Sequence, residues 1–366
     1  MTTTGRVLIL SHEEDPHLAK VTRFLQEEPL CINTGSIPER GLSYDFSSGQ
    51  AWPEVSYNGQ PLNLQSNPIR SVWYRSIDPR RLMTDEEMAR HVHDALSKGH
   101  TLGDHYRLFD DIIGEPGSEY CKHLMPGPEV IHEYVASSLN RLASALPDVI
   151  PDAFWVSARR PLVAASSKVR QRVVAKQVGF DMPAALFTSE ADAVQAFLAR
   201  FKTCVVKPLA VRPPRGFNQQ TRTMVQGQEM PAGLNWNPHI FEELIVPDFE
   251  LRTMVIGRKT FASRVWNEGE EMKSDFEGGE VRDMRAGFET GTFRAEPFEL
   301  PYEVHRMCVE LTERLGLVCG MIDLLVRDGV YYFLEDNGNG QWAFVDDDTV
   351  ERIGRELAAV LERGAA

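Results

Sequence analysis

An acidic side chain inside an apolar strand constrains this chain more than any other feature. Asp323 sits in the run Gly320-Met321-Ile322-Asp323-Leu324-Leu325-Val326, and a charge so placed is costly unless it is paired or holds a cation. Asp328-Gly329 signals a tight hairpin turn, after which residues 330–334 read as a second apolar strand ending in Glu335-Asp336-Asn337. Glu335 and Asn337 are two apart, so in extended chain they share a face, and the hairpin can set Asp323 opposite them. Two carboxylates and an amide oxygen with no His or Cys beside them suit Mg2+. The alternative is a solvated acidic rim at a sheet end.

Helix and strand patterns are mixed along the rest of the sequence, which predicts an α/β chain. Residues 6–10 read as a strand and 15–28 as a helix, with Asp15-Pro16 as cap and first turn. Short strands follow at 42–46, at 54–57 before an Asn58-Gly59 turn, and at 69–74. Val130, Tyr134, Leu139, Leu142 and Leu146 predict a helix that Pro147 and Pro151 stop. Ser166-Ser167 caps a helix over 168–178, with Val169, Val173, Val174 and Val178 on its apolar side and Gly179 at its end. Next come a helix at 189–201 capped by Ser189, a strand at 203–207, and strands at 240–246 and 251–256 joined through Pro247-Asp248. A Gly- and charge-rich excursion covers 267–293. A helix at 302–315 precedes the hairpin, and another at 349–363 closes the chain.

At 366 residues the chain exceeds one ordinary domain, so two or three subdomains are expected. With 42% hydrophobic and 25% charged residues it is globular in composition, not disordered. No apolar stretch reaches the roughly 18 residues that a membrane helix needs. The 39 basic and 53 acidic residues leave a net charge of −14, which argues against a general nucleic-acid binder but not against anions held by a few placed cations. Cys31, Cys121, Cys204, Cys308 and Cys319 have no CxxC spacing, so buried free thiols are expected in place of disulfides or a zinc knuckle. Met1-Thr2-Thr3-Thr4-Gly5 runs into the first strand without the pattern of a secretory signal, and the expected location is cytoplasmic.

Several further residues have a chemical and a plain reading. Lys207 ends an apolar strand before Pro208, and Lys168 opens a helix, where a cation is unfavourable unless an anion is bound. Each alone is more readily a surface lysine whose stem lies on apolar surface. Phe241-Glu242-Glu243-Leu244-Ile245 alternates acid and apolar residues where a strand leaves one lobe. Its backbone can pair with an adenine edge, or the acids simply guard an edge strand. Glu250 and Arg252 share a strand face, either as a salt bridge or as site groups. His91, His93, His100 and His105 make a weak metal candidate, because the first pair is wrongly spaced for one helix face. No Gly-x-Ser-x-Gly elbow supports a serine hydrolase. The tryptophans read as packing anchors, and Trp342 stands apart because it follows the metal candidates directly.

The order of these residues resembles the ATP-grasp superfamily over about 160–345: helix lysine, strand Lys-Pro, acidic hinge, Glu-x-Arg, then a late Asp with Glu-x-Asn. The resemblance implies an ATP-grasp architecture, with two α+β lobes closing on ATP behind an N-terminal pre-ATP-grasp α/β domain. The expected parts are 1–157, the N-terminal domain with a helical linker, 158–240, the first ATP-grasp lobe, and 241–366, the second. Lys168 and Lys207 would lie on the phosphates, Glu242, Glu243, Leu244 and Ile245 around adenine, and Glu250 near the ribose. Asp323, Glu335 and Asn337 would hold Mg2+.

A narrower resemblance spans most of the chain. Ser11-His12-Glu13-Glu14-Asp15, Val72-Trp73-Tyr74-Arg75 and Glu335-Asp336-Asn337-Gly338-Asn339-Gly340-Gln341-Trp342 are similar to the graspetide (microviridin-type) peptide macrocyclases. These ATP-grasp ligases close ω-ester or ω-amide rings on a ribosomal precursor peptide. Gly338 stands where that family usually has proline, and Arg212-Pro213-Pro214-Arg215-Gly216 stands where a small-residue phosphate flap is expected. Glu250-Leu251-Arg252 replaces a common Asp-x-Arg, so Glu250 would touch peptide instead of ribose if that match governs. The resemblance implies a precursor peptide as partner, its leader held near 211–236, and an acidic core residue activated as an acyl phosphate. A homodimer with no nucleic-acid or membrane partner is expected. Arg252, Arg264 and Arg285 are the catalytic candidates, since a guanidinium can grip a carboxylate with two parallel bonds. Arg285, in Asp283-Met284-Arg285, is the favoured one. A glutathione-synthetase or glutamate-ligase type of enzyme, joining a small amine or amino acid to a carboxylate, stays open, as does a nucleotide-dependent peptide-binding module without catalysis.

Overall fold

The computed structural model describes residues 5–12, 14–33, 42–47, 49, 53–57, 60–62, 68–75, 128–209, 222–230, 234–235, 237–268 and 286–366. β1 (Arg6–Ser11), α1 (Leu18–Thr22) and β2 (Leu30–Asn33) come first, then a small antiparallel sheet of β3 (Leu42–Asp45), β4 (Glu54–Tyr57) and β5 (Gln60–Pro61). β6 (Ile69–Tyr74) and, after α2 (Pro128–Val149), β7 (Phe154–Val156) complete a parallel sheet in the order β2-β1-β6-β7. Ile9, Leu10 and Val72 are buried, as strands of a parallel sheet covered on both faces should be.

The helix expected over 15–28 is only five residues long. Asp15 does not cap it; His17 holds the cap position, and the Asp15 carboxylate is bonded elsewhere. Val21 is the one fully buried residue of α1, and separate turns past Thr22 carry Phe24 and Leu25 onto the same core. Pro147 does not stop α2, which continues to Val149. In the last turn its missing N–H removes a single bond, and the Ile150 N–H still reaches the Leu146 carbonyl at 2.9 Å. Asn58-Gly59 lies outside the described residues, while Tyr57 and Gln60 on either side pair antiparallel.

α3 (Arg159–Ala165) and α4 (Lys168–Val178) lead to β8 (Ala185–Thr188), α5 (Ala191–Phe201), β9 (Thr203–Pro208), β10 (Arg222–Val225) and β11 (His239–Glu243). These four strands form an antiparallel sheet in the order β10-β9-β11-β8. Ser167 caps α4 by accepting the Arg170 N–H at 3.4 Å, and Gly179 ends it with φ 102°. The inner face of α4 differs from expectation: Gln171, Val174, Ala175 and Val178 are buried, whereas Val169 and Val173 are exposed. Gln171 takes the inner place because its side-chain amide bonds both backbone groups of Asp336, at 2.7 and 3.1 Å. Glu190, not Ser189, holds the cap position of α5, and Thr188 Oγ1 accepts its N–H at 2.9 Å. β11 ends at Glu243, so Leu244 and Ile245 are half-buried outside the ladder.

The fourth sheet follows with β12 (Phe249–Ile256), β13 (Lys259–Asn267), α6 (Ala286–Thr290), β14 (Phe293–Phe298), α7 (Tyr302–Leu315), β15 (Cys319–Arg327), β16 (Val330–Asn337) and α8 (Asp347–Arg363). Its order is β14-β13-β12-β15-β16, antiparallel throughout. β13 and β14 add to the strands that the sequence predicts. One face packs α4 and α7 through Val174, Val178, Cys308, Leu311, Ile322 and Phe333.

The other face shares a core with the parallel sheet, where Ile9, Val21 and Trp73 join Met254, Met321, Trp342, Ile353 and Leu357. At Gly354, α8 comes so close to α1 that a Cβ would stand 2.2 Å from the Lys20 carbonyl oxygen. Ser71 Oγ and Arg70 Nη1 donate to the Leu361 and Glu362 carbonyls, each at 2.7 Å, and satisfy the end of α8. The N-terminal sheet is thereby fixed against the sheet that carries Asp323. Cys204, Cys308 and Cys319 are buried free thiols as expected, Cys31 is exposed, and Cys121 is outside the described residues. Among the described residues no helix is long and apolar enough to cross a membrane.

Candidate active site

β15 and β16 turn at Asp328 (φ 52°) and Gly329 (φ 76°), the expected two-residue hairpin. Strict alternation from that turn would set Glu335 opposite Ile322, on the face packed by α4 and α7. A bulge intervenes: Leu324 pairs with Phe333, but Asp323 pairs with Glu335, Ile322 with Asp336 and Met321 with Asn337. The extra residue, Leu334, turns Glu335 and Asn337 to the Asp323 face and Asp336 inward. Asp336 is buried, and its pKa is pushed up to about 7 by burial and by the Asp323 and Glu335 charges against the pull of the Met321 backbone N–H.

On the Asp323 face the charges pair. Arg252 of β12 lies in register with Asp323 and forms an ion pair with it. Lys168, at the start of α4, reaches Glu335, and Asn337 Nδ2 donates to Glu335 Oε1 at 3.0 Å. Burial raises the Asp323 pKa to about 6 against the pull of Arg252. Burial would raise Glu335 too, but the Lys168 charge and bond, the Asn337 amide and the Lys207 charge bring it down to about 2. Of the two lysines, Lys168 bonds this carboxylate and Lys207 bonds Glu242. Burial also works against the Arg252 charge, yet Asp323, Glu250 and Glu335 outweigh it and hold the guanidinium above its usual pKa. Beyond Arg252, the Phe344 ring lies 5.8 Å from the guanidinium and packs with Phe288 and Phe293.

A second cluster joins α4 to β9 and β11. Lys207 pairs in register with Ile240, and Glu242 with Val205, so Lys207 and Glu242 are diagonal neighbours on one face of the β9–β11 ladder. The buried Glu242 carboxylate takes Lys207 on one oxygen and Arg172 on the other, the latter at 3.0 Å. Arg172 is one turn beyond Lys168 on α4, and its position four residues on was the signal in the sequence that it shares the lysine's face. Glu243 Oε2 accepts the Ala184 N–H at 3.2 Å.

The whole arrangement can be set beside solved structures. It is similar over 98% of its length, and 96% of the other chain, to a RiPP-associated ATP-grasp ligase of Chryseobacterium gregarium in complex with ADP and a leader and core peptide (TM-score 0.69, 21% identity). It is similar over 97% of its length, and 98% of the other chain, to the macrocyclase MdnC of Microcystis aeruginosa bound with its precursor peptide MdnA (TM-score 0.69, 20% identity). The ATP-grasp ligase PsnB complexed with a minimal precursor, Mg and ADP matches over 99% of this chain and 98% of its own (TM-score 0.63, 21% identity). This chain has the ATP-grasp fold. No protein-family model and no curated protein matches its sequence.

In this ATP-grasp fold Lys168, Lys207, Glu242, Glu250, Arg252, Asp323, Glu335 and Asn337 lie on α4 and on the four- and five-stranded antiparallel sheets. Arg264 does not join them. It lies opposite Leu251, on the other face of β12–β13 from Arg252, over the Phe249 ring at 4.7 Å and 3.6 Å from Glu296. Alternation along β13 gives the reason, since Ser263, not Arg264, is the partner of Arg252. Trp342 is a packing anchor, fully buried in the core between the sheets. Arg285, residues 212–216, and His91, His93, His100 and His105 lie outside the described residues.

Among the described residues no three His, Cys, Asp or Glu side chains converge; the trio here is two carboxylates and an amide. Asn337 spends its Nδ2 on Glu335, which leaves Oδ1 as its outward donor. Cross-strand neighbours such as Asp323 and Glu335 have Cβ atoms about 5 Å apart, within reach of one cation. All-oxygen donors with this spacing fit Mg2+.

Proposed function

We propose that this chain is an ADP-forming ligase that uses ATP and Mg2+ to activate Asp or Glu side chains of a ribosomal precursor peptide as acyl phosphates. It then closes ω-ester or ω-amide crosslinks within that peptide. The observation that carries this reading is the ion pair of Lys168 with Glu335 inside the Asp323–Glu335–Asn337 trio, with Lys207 and Arg172 paired to Glu242 on the neighbouring sheet. The ADP, Mg and precursor peptides in the solved ATP-grasp ligases of like fold support it.

A carboxylate is a poor electrophile at neutral pH. Transfer of the γ-phosphoryl gives a mixed anhydride, and a hydroxyl or amine of the same peptide displaces phosphate from it. The protein's part is positioning and charge neutralisation. Asp323, Glu335 and Asn337 would hold Mg2+, which when bound offsets charge on the transferring phosphates. Lys168 and Lys207 hold the phosphate oxygens, steadied until then by Glu335 and Glu242. Glu242 to Ile245 border the adenine, and Glu250 contacts ribose or peptide. Arg252 and Arg285 orient the carboxylate under attack. Arg264 has no part in it, given its face. The N-terminal part (1–157), the first lobe (158–240) and the second (241–366) make up a cytoplasmic homodimer with no nucleic-acid or membrane partner.

The test is incubation with ATP, Mg2+ and a short Thr-, Ser-, Asp- and Glu-rich peptide encoded beside this chain's gene. Mass spectrometry should find one water lost, and one ADP formed, per ring. A gain of mass from an added amino acid would support a small-amine ligase instead, and an unchanged peptide would sink the macrocyclase reading.

A further inference from the structure

Away from the lysines, a buried polar network joins the N-terminal sheet to the loop that follows the oxygen-donor trio. Ser11 Oγ donates to Asp15 Oδ2 at 2.6 Å, and the His17 N–H donates to Asp15 Oδ1 at 3.0 Å. Arg75 Nε donates to Asp15 Oδ2 at 3.2 Å, and His17 Nδ1 stands 2.5 Å from Asp15 Oδ1. All four residues are buried, His17 completely.

The other side of the His17 ring faces the late loop. Its Nε2 accepts the backbone N–H groups of Trp342 at 3.1 Å and Ala343 at 3.3 Å, with the ring edge-on to Trp342 at 4.7 Å. Two backbone donors aimed at Nε2 require a lone pair there, so the ring proton is on Nδ1 and goes to Asp15, and Arg75 Nη2, 3.1 Å from Nδ1, stands beside it as a charge and not as a donor to it. Arg75 bonds Asn339 twice, its Nη1 donating to the Asn339 carbonyl at 3.4 Å while Asn339 Nδ2 donates to the Arg75 carbonyl. Ser157 Oγ donates to the Gly338 carbonyl at 3.5 Å. Ser11, Arg75 and Ser157 sit at or just past the carboxyl ends of β1, β6 and β7, the edge where parallel sheets usually place a ligand. Here that edge grips residues 338–343.

What those residues do follows from the ladder. β16 ends at Asn337, so the orientation of its last donors depends on the chain that comes next. The Gly340 N–H bonds the Asn337 carbonyl at 2.7 Å, and a Cβ at Gly340 would come within 2.7 Å of Met321 Cβ. The loop is thus folded tightly under Asn337. Apolar side chains would join the two sheets as well as a buried ion pair does, and at less desolvation cost; the polar network adds a fixed register.

We propose that Asp15, His17 and Arg75 are positioning residues, holding loop 338–343 so that Glu335 and Asn337 present their oxygens to the metal. This rests on the metal reading of the trio. The test measures ADP affinity by calorimetry in MgCl2 and in EDTA; the ratio of the two reports the metal's contribution without any peptide. In His17→Ala the ratio should fall about tenfold, at the low end for partners that orient metal ligands, with affinity in EDTA unchanged. Hydrogen exchange should quicken over 338–345 alone. His17→Gln, whose carbonyl can still accept from Trp342 and Ala343, should restore most of the ratio. A wild-type ratio in His17→Ala overturns the proposal. Should that variant not fold, Asn339→Ala removes one bond to Arg75 and should lower the ratio about threefold, and no change there overturns it equally. Glu335→Gln separates the two ideas. If it leaves the ratio intact the metal reading itself fails, whereas a drop in Glu335→Gln without one in His17→Ala sinks only the positioning role.

Discussion

Arg252 and Asp323 stand opposite each other on neighbouring antiparallel strands, and their side chains form an ion pair on the face that also carries Glu335 and Asn337. Asp323 is the costlier partner, since burial lifts its pKa to about 6. A half-buried carboxylate kept at that expense, where Asn has the same shape, points to use of its charge. Asp323→Asn is predicted to lower the rate of ADP release at least 100-fold, a loss of about 3 kcal/mol at the transition state. The melting temperature should hardly move, because Arg252 keeps Glu250 and Glu335 nearby. Full turnover in this variant would remove Asp323 from the donor set.

Glu242 offers a contrast in which stability, not rate, is the first loss. Its buried carboxylate is the shared counter-ion of Lys207 and Arg172. Glu242→Gln leaves two partly buried cations facing each other, and removing one partner of such a pair costs about 3 kcal/mol or more. Lys207→Met should cost far less in urea unfolding, since Arg172 still neutralises Glu242, yet raise the KM for ATP about tenfold by removing one charge–phosphate contact. Equal destabilisation by the two substitutions would contradict the shared-counter-ion geometry.

Asp15 carries a pH signature. Burial alone would raise its pKa, but the bond from His17, the Arg75 charge and the Ser11 hydroxyl hold it well below the ordinary value of 3.8. A depressed carboxylate contributes stability that is present above the unfolded pKa and is lost as pH falls toward the folded one. Wild type should therefore weaken in acid below about pH 4. Asp15→Asn should start about 3 kcal/mol lower at pH 7 and lose less on acidification, as urea unfolding at pH 7 and pH 3 would show. Parallel losses in both proteins would mean that Asp15 is not ionised in the fold.

Much of this site was legible as an order of charges. Lys168, Lys207, Glu242, Asp323 and Glu335 each stand where an apolar strand or helix end makes a charge conspicuous, and the Asp328-Gly329 turn sets the hairpin. The bulge at Leu334 was not legible: an unbroken ladder would have buried Glu335, and only the inserted residue brings it to Asp323. β13 had a readable alternation in Phe261, Ser263 and Val265, obscured by the charge-rich segment that follows it. The Asp15–His17–Trp342 network lay beyond reach for another reason. The late loop reaches His17 through donating backbone N–H groups, which every residue but proline carries, so no pairing of side-chain types marks them.

Helix α4 yields the last prediction, and its exposure pattern and its chemistry are one fact. Lys168 and Arg172 are one turn apart and reach Glu335 and Glu242, while Gln171, Val174, Ala175 and Val178 face the core. Turning the helix by one residue would bury Val173, which is 53% exposed, and swing both cations off their carboxylates by about 100°. Val173→Asp should therefore change stability by less than about 0.5 kcal/mol. Val174→Asp puts an unpaired charge against α7 and should cost more than about 3 kcal/mol. Thermal unfolding of the two variants side by side decides it: a large loss from Val173→Asp would mean that α4 presents a different face, and that Lys168 and Arg172 do not converge on the site as described.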